Sequence, residues 1–303
     1  MTTGGHSDRT SRRIFVQIPA YRDTELGATL LDLFAKASNP DQLRVVVLWQ
    51  RGPRESLPAR VRALKGLELI EVPHTESRGC NWARSLLQKQ WQGEPLTLLM
   101  DSHHRFVTGW DEKATEMHAR LQRQGVRRPM LTGYLPPYSP ATEPYGRKRA
   151  PFKIYPLEWQ QGMLLRVTSY PIPFWRQLDE PVPTDFVSLH FVFTDGAFNR
   201  DVLFDPQTYF VGDEVAMTLR AFSHGFDLYH PHRILGWHCY DRSSRTTHWH
   251  DHSEWFEQNA RSLERLRRLF RGKLRGRYGV GSQRSVRQYE ARTQLRLLKA
   301  PGR

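Results

Sequence analysis

Apolar strands alternating with amphipathic helices predict an α/β protein built on a mostly parallel sheet. Two runs, "VVVLW" at 45–49 and "LTLLM" at 96–100, are apolar almost throughout, as buried strands are. Before and after them lie segments whose apolar residues recur at helical spacing. With 39% hydrophobic and 12% aromatic residues, a chain of 303 residues has enough for a folded core. In such sheets ligands bind beyond the carboxyl ends of the strands, so the residues that end each strand come first as candidates for chemistry.

Residues 13–21, "RIFVQIPAY", read as the first buried strand. Asp23 or Thr24 can cap the next helix, whose Leu26, Leu30, Leu33, Phe34 and Ala37 share one face. Strands follow at 43–50 and, more weakly, at 67–72. A helix over 79–91 precedes the strand 96–100, which delivers Asp101. Asp111 opens another helix, with Ala114, Met117 and Leu121 in one stripe. Residues 134–186 are rich in proline and aromatics with little periodicity, and read as a long excursion that shapes a substrate cleft. Strand character returns over 186–204. In the helix over 212–225, Val215, Leu219 and Phe222 line one face, Asp213 and Glu214 sit at the positive dipole end, and Gly225 ends it. Two extended pieces follow over 226–242, the second ending at His238.

The net charge of +14 is unevenly spread. Residues 260–303 hold 14 Lys and Arg against Glu264 and Glu290, whereas the remaining 259 carry 31 basic and 29 acidic groups. In the tail, Leu263, Leu266, Leu269 and Phe270 form an apolar stripe opposite Arg265, Arg268 and Arg271, which predicts an amphipathic helix docked on the body. A directed positive field from that segment suits an acidic partner. Nucleic acid is disfavoured by the near-neutral body and the sparse aromatics of the tail. The N-terminus "MTTGGHSDRTSRR" lacks the apolar stretch of a signal peptide, and no apolar run is long enough to span a bilayer. Cys80 and Cys239 allow one disulfide at most and read as reduced thiols of a cytoplasmic protein.

Four constellations carry chemistry. Asp101-Ser102-His103 places a carboxylate and an imidazole on alternate positions of an extended backbone, a pair suited to Mn²⁺ or Mg²⁺ when diphosphate oxygens complete the shell. A third ligand is available from His238 or from "HWHDH", with His248, His250 and His252. Arg78, Gly79 and Arg84 sit at a loop-to-helix start that can receive phosphate, although no Walker or G-x-G-x-x-G pattern is present. Asp213 and Glu214 either complement the helix dipole or work on a substrate. No G-x-S-x-G elbow supports a serine hydrolase.

In order, "FVQIPAYRD", "ESRGCNWARSL", "LLMDSHHRFVTGWD", "YFVGDEVAMTLRAFSHGFDLYHP", "GWHCYDR" and "YGVGSQRS" resemble the GlcNAc-transferase family of nucleotide-sugar glycosyltransferases, from about Arg13 to Tyr289. The resemblance implies a GT-A fold, a Rossmann-like mixed sheet flanked by helices, over residues 13–255. A basic helical extension over 256–303 would pack on it, after a disordered stretch at 1–12. It implies Asp101, His103 and His238 as metal ligands, and Ala20, Tyr21, Arg22, Gln50, Arg78, Gly79, Arg84, Asp101 and Ser102 near the nucleotide. Asp213 and Glu214 would lie beside donor sugar and acceptor. The implied reaction moves a sugar, GlcNAc first among them, from a UDP-sugar to a hydroxyl of a peptide or protein with retention of configuration. An inverting course would make Glu214 the general base. A small-molecule or glycan acceptor with another UDP-hexose, an inactive sugar-binding relative, and a nucleic-acid-binding protein are the alternatives.

Overall fold

The computed structural model describes residues 13–243 and 245–299; the expected disorder at 1–12 lies outside them. The chain begins with β1 (Ile14–Tyr21), α1 (Leu26–Lys36), β2 (Leu43–Arg51), β3 (Leu67–Pro73) and α2 (Cys80–Gln88). It continues through β4 (Leu96–Met100), β5 (His104–Phe106), α3 (Trp110–Arg123), β6 (Pro129–Thr132), β7 (Phe152–Gln160), β8 (Met163–Pro171), β9 (Val182–Pro183) and β10 (Phe191–Asp195). The last part holds α4 (Asp213–Ser223), β11 (Asp227–His230), β12 (Gly236–His238), α5 (His248–Asp251), α6 (Trp255–Phe270) and α7 (Val286–Thr293).

Eight strands form the central sheet in the order β3-β2-β1-β4-β10-β6-β11-β9. The neighbours β3, β2, β1 and β4 are parallel, as are β6 and β11, while β10 and β9 run against their neighbours. The sheet is mixed and mostly parallel, as expected. Strand alternation divides its faces. Val45 and Val47 pack with Leu26, Leu30, Trp110 and Ala114 from α1 and α3, whereas Val46 and Leu48 pack with Ala83 and Leu87 of α2. Both faces of β2 are therefore dry, which accounts for its unbroken apolar sequence. β3 alternates between half-buried and exposed positions because it is an edge, and this is the source of its weaker signal.

Several boundaries differ from the sequence expectation. The Asp23 carboxylate does not bond the first turn of α1; Oδ1 accepts the Glu25 amide and Oδ2 is committed elsewhere. The excursion, which shows little periodicity in sequence, contains a hairpin, β7 on β8, whose register shifts around Glu158 and whose exposed Tyr155, Leu157 and Tyr170 blur the expected in-out alternation. The strand expected over 186–204 is confined to β10 and gives way to a helical turn at Phe198–Asp201. α4 is buried all round: Met217 and Ala221 face the sheet, while Val215, Leu219 and Phe222 face the tail. Leu266, Leu269 and Phe270 of α6 and Tyr289 of α7 complete that outer layer. The tail is thus a cover for α4. Arg265 does not belong to a free cationic face, since it pairs with Asp205 and lies over Tyr278. No helix among the described residues is long and apolar enough to cross a membrane. Cys80 and Cys239 are both free thiols.

Candidate active site

The carboxyl ends of β1, β2 and β4 open on a cleft of about 650 Å³. Tyr21, Gln50 and Asp101 reach it from these strands, Gly79, Cys80 and Arg84 from the start of α2, and Asp213 and Glu214 from the start of α4. Gln160, Leu165, Arg166 and Val167 of the hairpin form part of its wall, so the excursion does shape the cleft.

One corner is built by a small ribbon. β5 pairs antiparallel with β12, setting His238 opposite His104, and the Cys239 amide donates to the His103 carbonyl at 3.0 Å. That register carries His238 to Asp101, where Nε2 and Oδ2 are 3.2 Å apart. His103 Nε2 stands 3.8 Å from the same oxygen. Asp101, His103 and His238 each offer one ligand atom, all within 4.8 Å of one another, and they are the one such group among the described residues. Burial opposes ionisation of Asp101, but the hydrogen bond to His238 and the neighbouring imidazoles hold it well below the usual carboxylate range. Burial and the adjacent imidazoles His190 and His103 hold His238 well below its ordinary value, hence neutral.

Asp23 orients the first imidazole. Its Oδ2 accepts from His103 Nδ1 at 2.6 Å and from the Ser102 hydroxyl at 2.6 Å, which directs His103 Nε2 toward Asp101. Burial pushes the Asp23 carboxyl up, and the His103 and Ser102 bonds with nearby Arg245 more than reverse this, to about 2. The Arg245 guanidinium also lies against His103 Nδ1. His104 turns away: Nδ1 bonds the Asp101 carbonyl at 3.0 Å, and burial, with the neighbouring His103 imidazole adding to it, drops its pKa to about 3. The two adjacent histidines therefore do different things.

Arg84 ties the corner of Asp101, His103 and His238 to the acidic pair. Its Nη1 bonds Asp213 Oδ2 at 3.0 Å and Nη2 lies 3.6 Å from Asp101 Oδ1, while its buried Nε has no partner. Glu214 accepts from the Tyr134 hydroxyl at 2.5 Å and from the Leu189 amide at 3.0 Å. Burial and the Asp213 charge push its carboxyl up to about 7, against those bonds. Cys80 borders the cleft, but burial pushes its thiol up to about 12, so it is no thiolate nucleophile.

The remaining sequence candidates separate. Gln50 accepts from Ser77 at 2.5 Å and Tyr21 donates to Asp251 at 2.8 Å, both at the cleft. Arg22 is engaged by Asp251 and Glu55, Ala20 is buried behind the rim, and Arg78 is exposed outside the cleft lining. In "HWHDH", His248 lines the cleft and bonds Tyr209 at 2.7 Å, His252 stacks on it, and His250 is exposed; none joins the Asp101 group. The sequence alone does not disclose the roles of Asp23, Tyr134, His190 and Arg245. Asp23 reads there only as a helix cap, and His190 lies unmarked within a strand-like run.

The family model "Glycosyltransferase (GlcNAc)" matches residues 13–68 and 54–298. The chain belongs to this family. Its structure is similar to GalNAc-T7 crystallised with UDP, GalNAc and Mn²⁺, at 13% identity and a TM-score of 0.58, over 77% of this chain and 44% of that one. It is also similar to residues 1–349 of S. aureus TarS in complex with UDP-GlcNAc, at 15% identity and a TM-score of 0.51, over 84% of this chain and 66% of that one. The chain thus spans less than half of GalNAc-T7 and about two thirds of the TarS fragment. At such identities these likenesses establish the GT-A fold. A search of curated protein sequences returns no match.

Proposed function

We propose that this protein transfers a sugar, GlcNAc first among candidates, from a UDP-sugar to a hydroxyl of a peptide or protein with the help of Mn²⁺ or Mg²⁺. The observation that carries this reading is the convergence of Asp101, His103 and His238 at the mouth of the sheet, with Glu214 opening on the same cleft. The donor set fits a divalent cation: one ionised carboxylate, one imidazole held neutral, and one imidazole aimed by Asp23. When bound, the cation neutralises charge on the departing diphosphate.

The protein groups have separable tasks. The start of α2, at Gly79, presents backbone N–H groups and the positive end of a helix to phosphate. Arg84, already facing Asp101, adds a fixed positive charge as the anomeric C–O bond breaks and its electron pair moves onto the diphosphate oxygen. The acceptor oxygen then bonds the anomeric carbon. On a retaining course its proton passes to that diphosphate oxygen, and Glu214 orients the sugar and acceptor hydroxyls. The placing of Glu214 in the cleft, with burial and the Asp213 charge pushing its carboxyl up to about 7, suits the inverting alternative, in which this carboxylate takes the proton. The anomeric configuration of the product, read from proton couplings by NMR, separates the two. A cytoplasmic location and an acidic acceptor belong to the same proposal.

The function is tested by measuring UDP release from several UDP-sugars with Mn²⁺, with Mg²⁺ and with EDTA. Release from UDP-GlcNAc that EDTA abolishes is the expected result. No release from any UDP-sugar, or release indifferent to EDTA, contradicts the proposal.

A further inference from the structure

Glu214 is gripped from two directions by groups outside its own helix. Tyr134, two residues beyond β6, donates its hydroxyl to Oε2 at 2.5 Å, and the Leu189 amide before β10 donates to Oε1 at 3.0 Å. The Tyr134 ring stacks on His190 with centroids 4.6 Å apart. His190 stacks in turn on His238, at 4.4 Å and 4° between planes. We propose that Tyr134 is a positioning residue that holds the Glu214 carboxylate in its working orientation, and that the Tyr134–His190–His238 stack ties this carboxylate to the metal corner. The inference rests on the reading of Glu214 as the acidic group beside the reacting sugar.

A carboxylate bonded through one oxygen can still swing about its side-chain torsions; donors on both oxygens remove that freedom. With Ser188 also donating, the carboxylate keeps one further lone pair for a sugar or acceptor hydroxyl in the cleft. Tyr134 remains a donor across the working pH range, because burial and the Glu214 charge push its hydroxyl far above its usual pKa. The groups facing Glu214 are Asp213 from its own helix, Tyr134, Ser188 and Leu189 before β10, Tyr240 after β12 and Arg84 from α2. Of these, Asp213 opposes ionisation of Glu214, while Tyr134, Leu189 and Ser188 donate hydrogen bonds that favour it. Losing the Tyr134 hydroxyl therefore leaves Glu214 protonated to higher pH.

Tyr134→Phe keeps the ring and its stack but removes the bond. The experiment is the pH profile of kcat for hydrolysis of UDP-GlcNAc with Mn²⁺, on the wild type, Tyr134→Phe, Glu214→Gln and the double variant. The expected result is a wild-type acid limb near pH 7 that moves upward in Tyr134→Phe, with kcat at pH 7 lower by about tenfold and KM for UDP-GlcNAc changed by less than about twofold. In the Glu214→Gln background, Tyr134→Phe should cost little more. An unmoved acid limb, or fully additive losses, overturns the inference while leaving the transferase reading intact. If the wild type hydrolyses no UDP-sugar, the transferase reading fails by itself. A ¹³C-carboxyl NMR titration of Glu214, assigned with Glu214→Gln, then decides the Tyr134 inference alone, and an unmoved midpoint overturns it.

Discussion

His103 owes its direction to Asp23, and on the proposed reading it can serve as a metal ligand only as well as Asp23 places it. Asp23→Asn should weaken Mn²⁺ binding in the presence of UDP by about 10- to 100-fold, measured by calorimetry. The same residue makes a prediction about stability. Its carboxyl sits at about 2 in the folded protein against 3.8 ordinarily, so ionised Asp23 stabilises the fold above about pH 4, and that contribution is lost as pH falls through about 2. In EDTA, Asp23→Asn should be less stable than the wild type by about 2 kcal/mol at pH 7, and the difference should vanish in acid. A pH-independent difference contradicts the linkage. Glu214→Gln should reduce kcat by about 100-fold or more with little change in UDP affinity, because its carboxylate is not among the three groups that would hold the cation. Unchanged kcat would leave it a helix-dipole residue. At this scale the D-x-H pair and the acidic pair were legible because adjacent positions advertise them. Asp23, Tyr134 and His190 were not, because their meaning comes from pairings with residues 80, 80 and 48 positions away.

The β5–β12 ribbon sets the site's geometry among the elements. Gly236 makes it possible: a Cβ there would stand 2.4 Å from the Arg105 carbonyl oxygen, across the pairing. Gly236→Ala should push β12 away from β5, and His238 with it. Calorimetry should then show loss of Mn²⁺-dependent UDP binding even where circular dichroism reports a folded protein; retained binding contradicts the ribbon's role. Gly79 has a comparable constraint at the start of α2, with φ of 98° and the Tyr209 ring 3.0 Å from where a Cβ would stand. The parallel strands were legible because burial on both faces writes a continuous apolar run, and the extended piece ending at His238 was legible as β12. Its partner β5 and the β7–β8 hairpin were not, since a three-residue strand carries almost no period and the hairpin exposes aromatics.

On the scale of the whole molecule, the tail does two things. Its apolar stripe covers the outer face of α4, so Leu266→Ala or Leu269→Ala should cost about 2–5 kcal/mol in denaturant unfolding. A cost below about 1 kcal/mol would mean that α4 does not depend on this cover. Its charge is less free than composition suggests, since Arg265, Arg284, Arg292 and Arg296 each face a carboxylate. Arg268 and Arg271 are exposed, and reversing them to Glu should raise KM for an acidic acceptor at low salt, with the effect shrinking as salt is added. The GT-A architecture was legible because six ordered motifs span the chain, whereas the tail's ion pairs depend on contacts that no motif encodes. The central claim is that Asp101, His103 and His238 hold the metal on the donor's diphosphate. Crystals grown with UDP and Mn²⁺, with anomalous data collected at the manganese edge, test it most directly. The account predicts one anomalous peak within bonding distance of all three side chains and of the diphosphate; a peak on His248 or His250, with His238 remote, would contradict it.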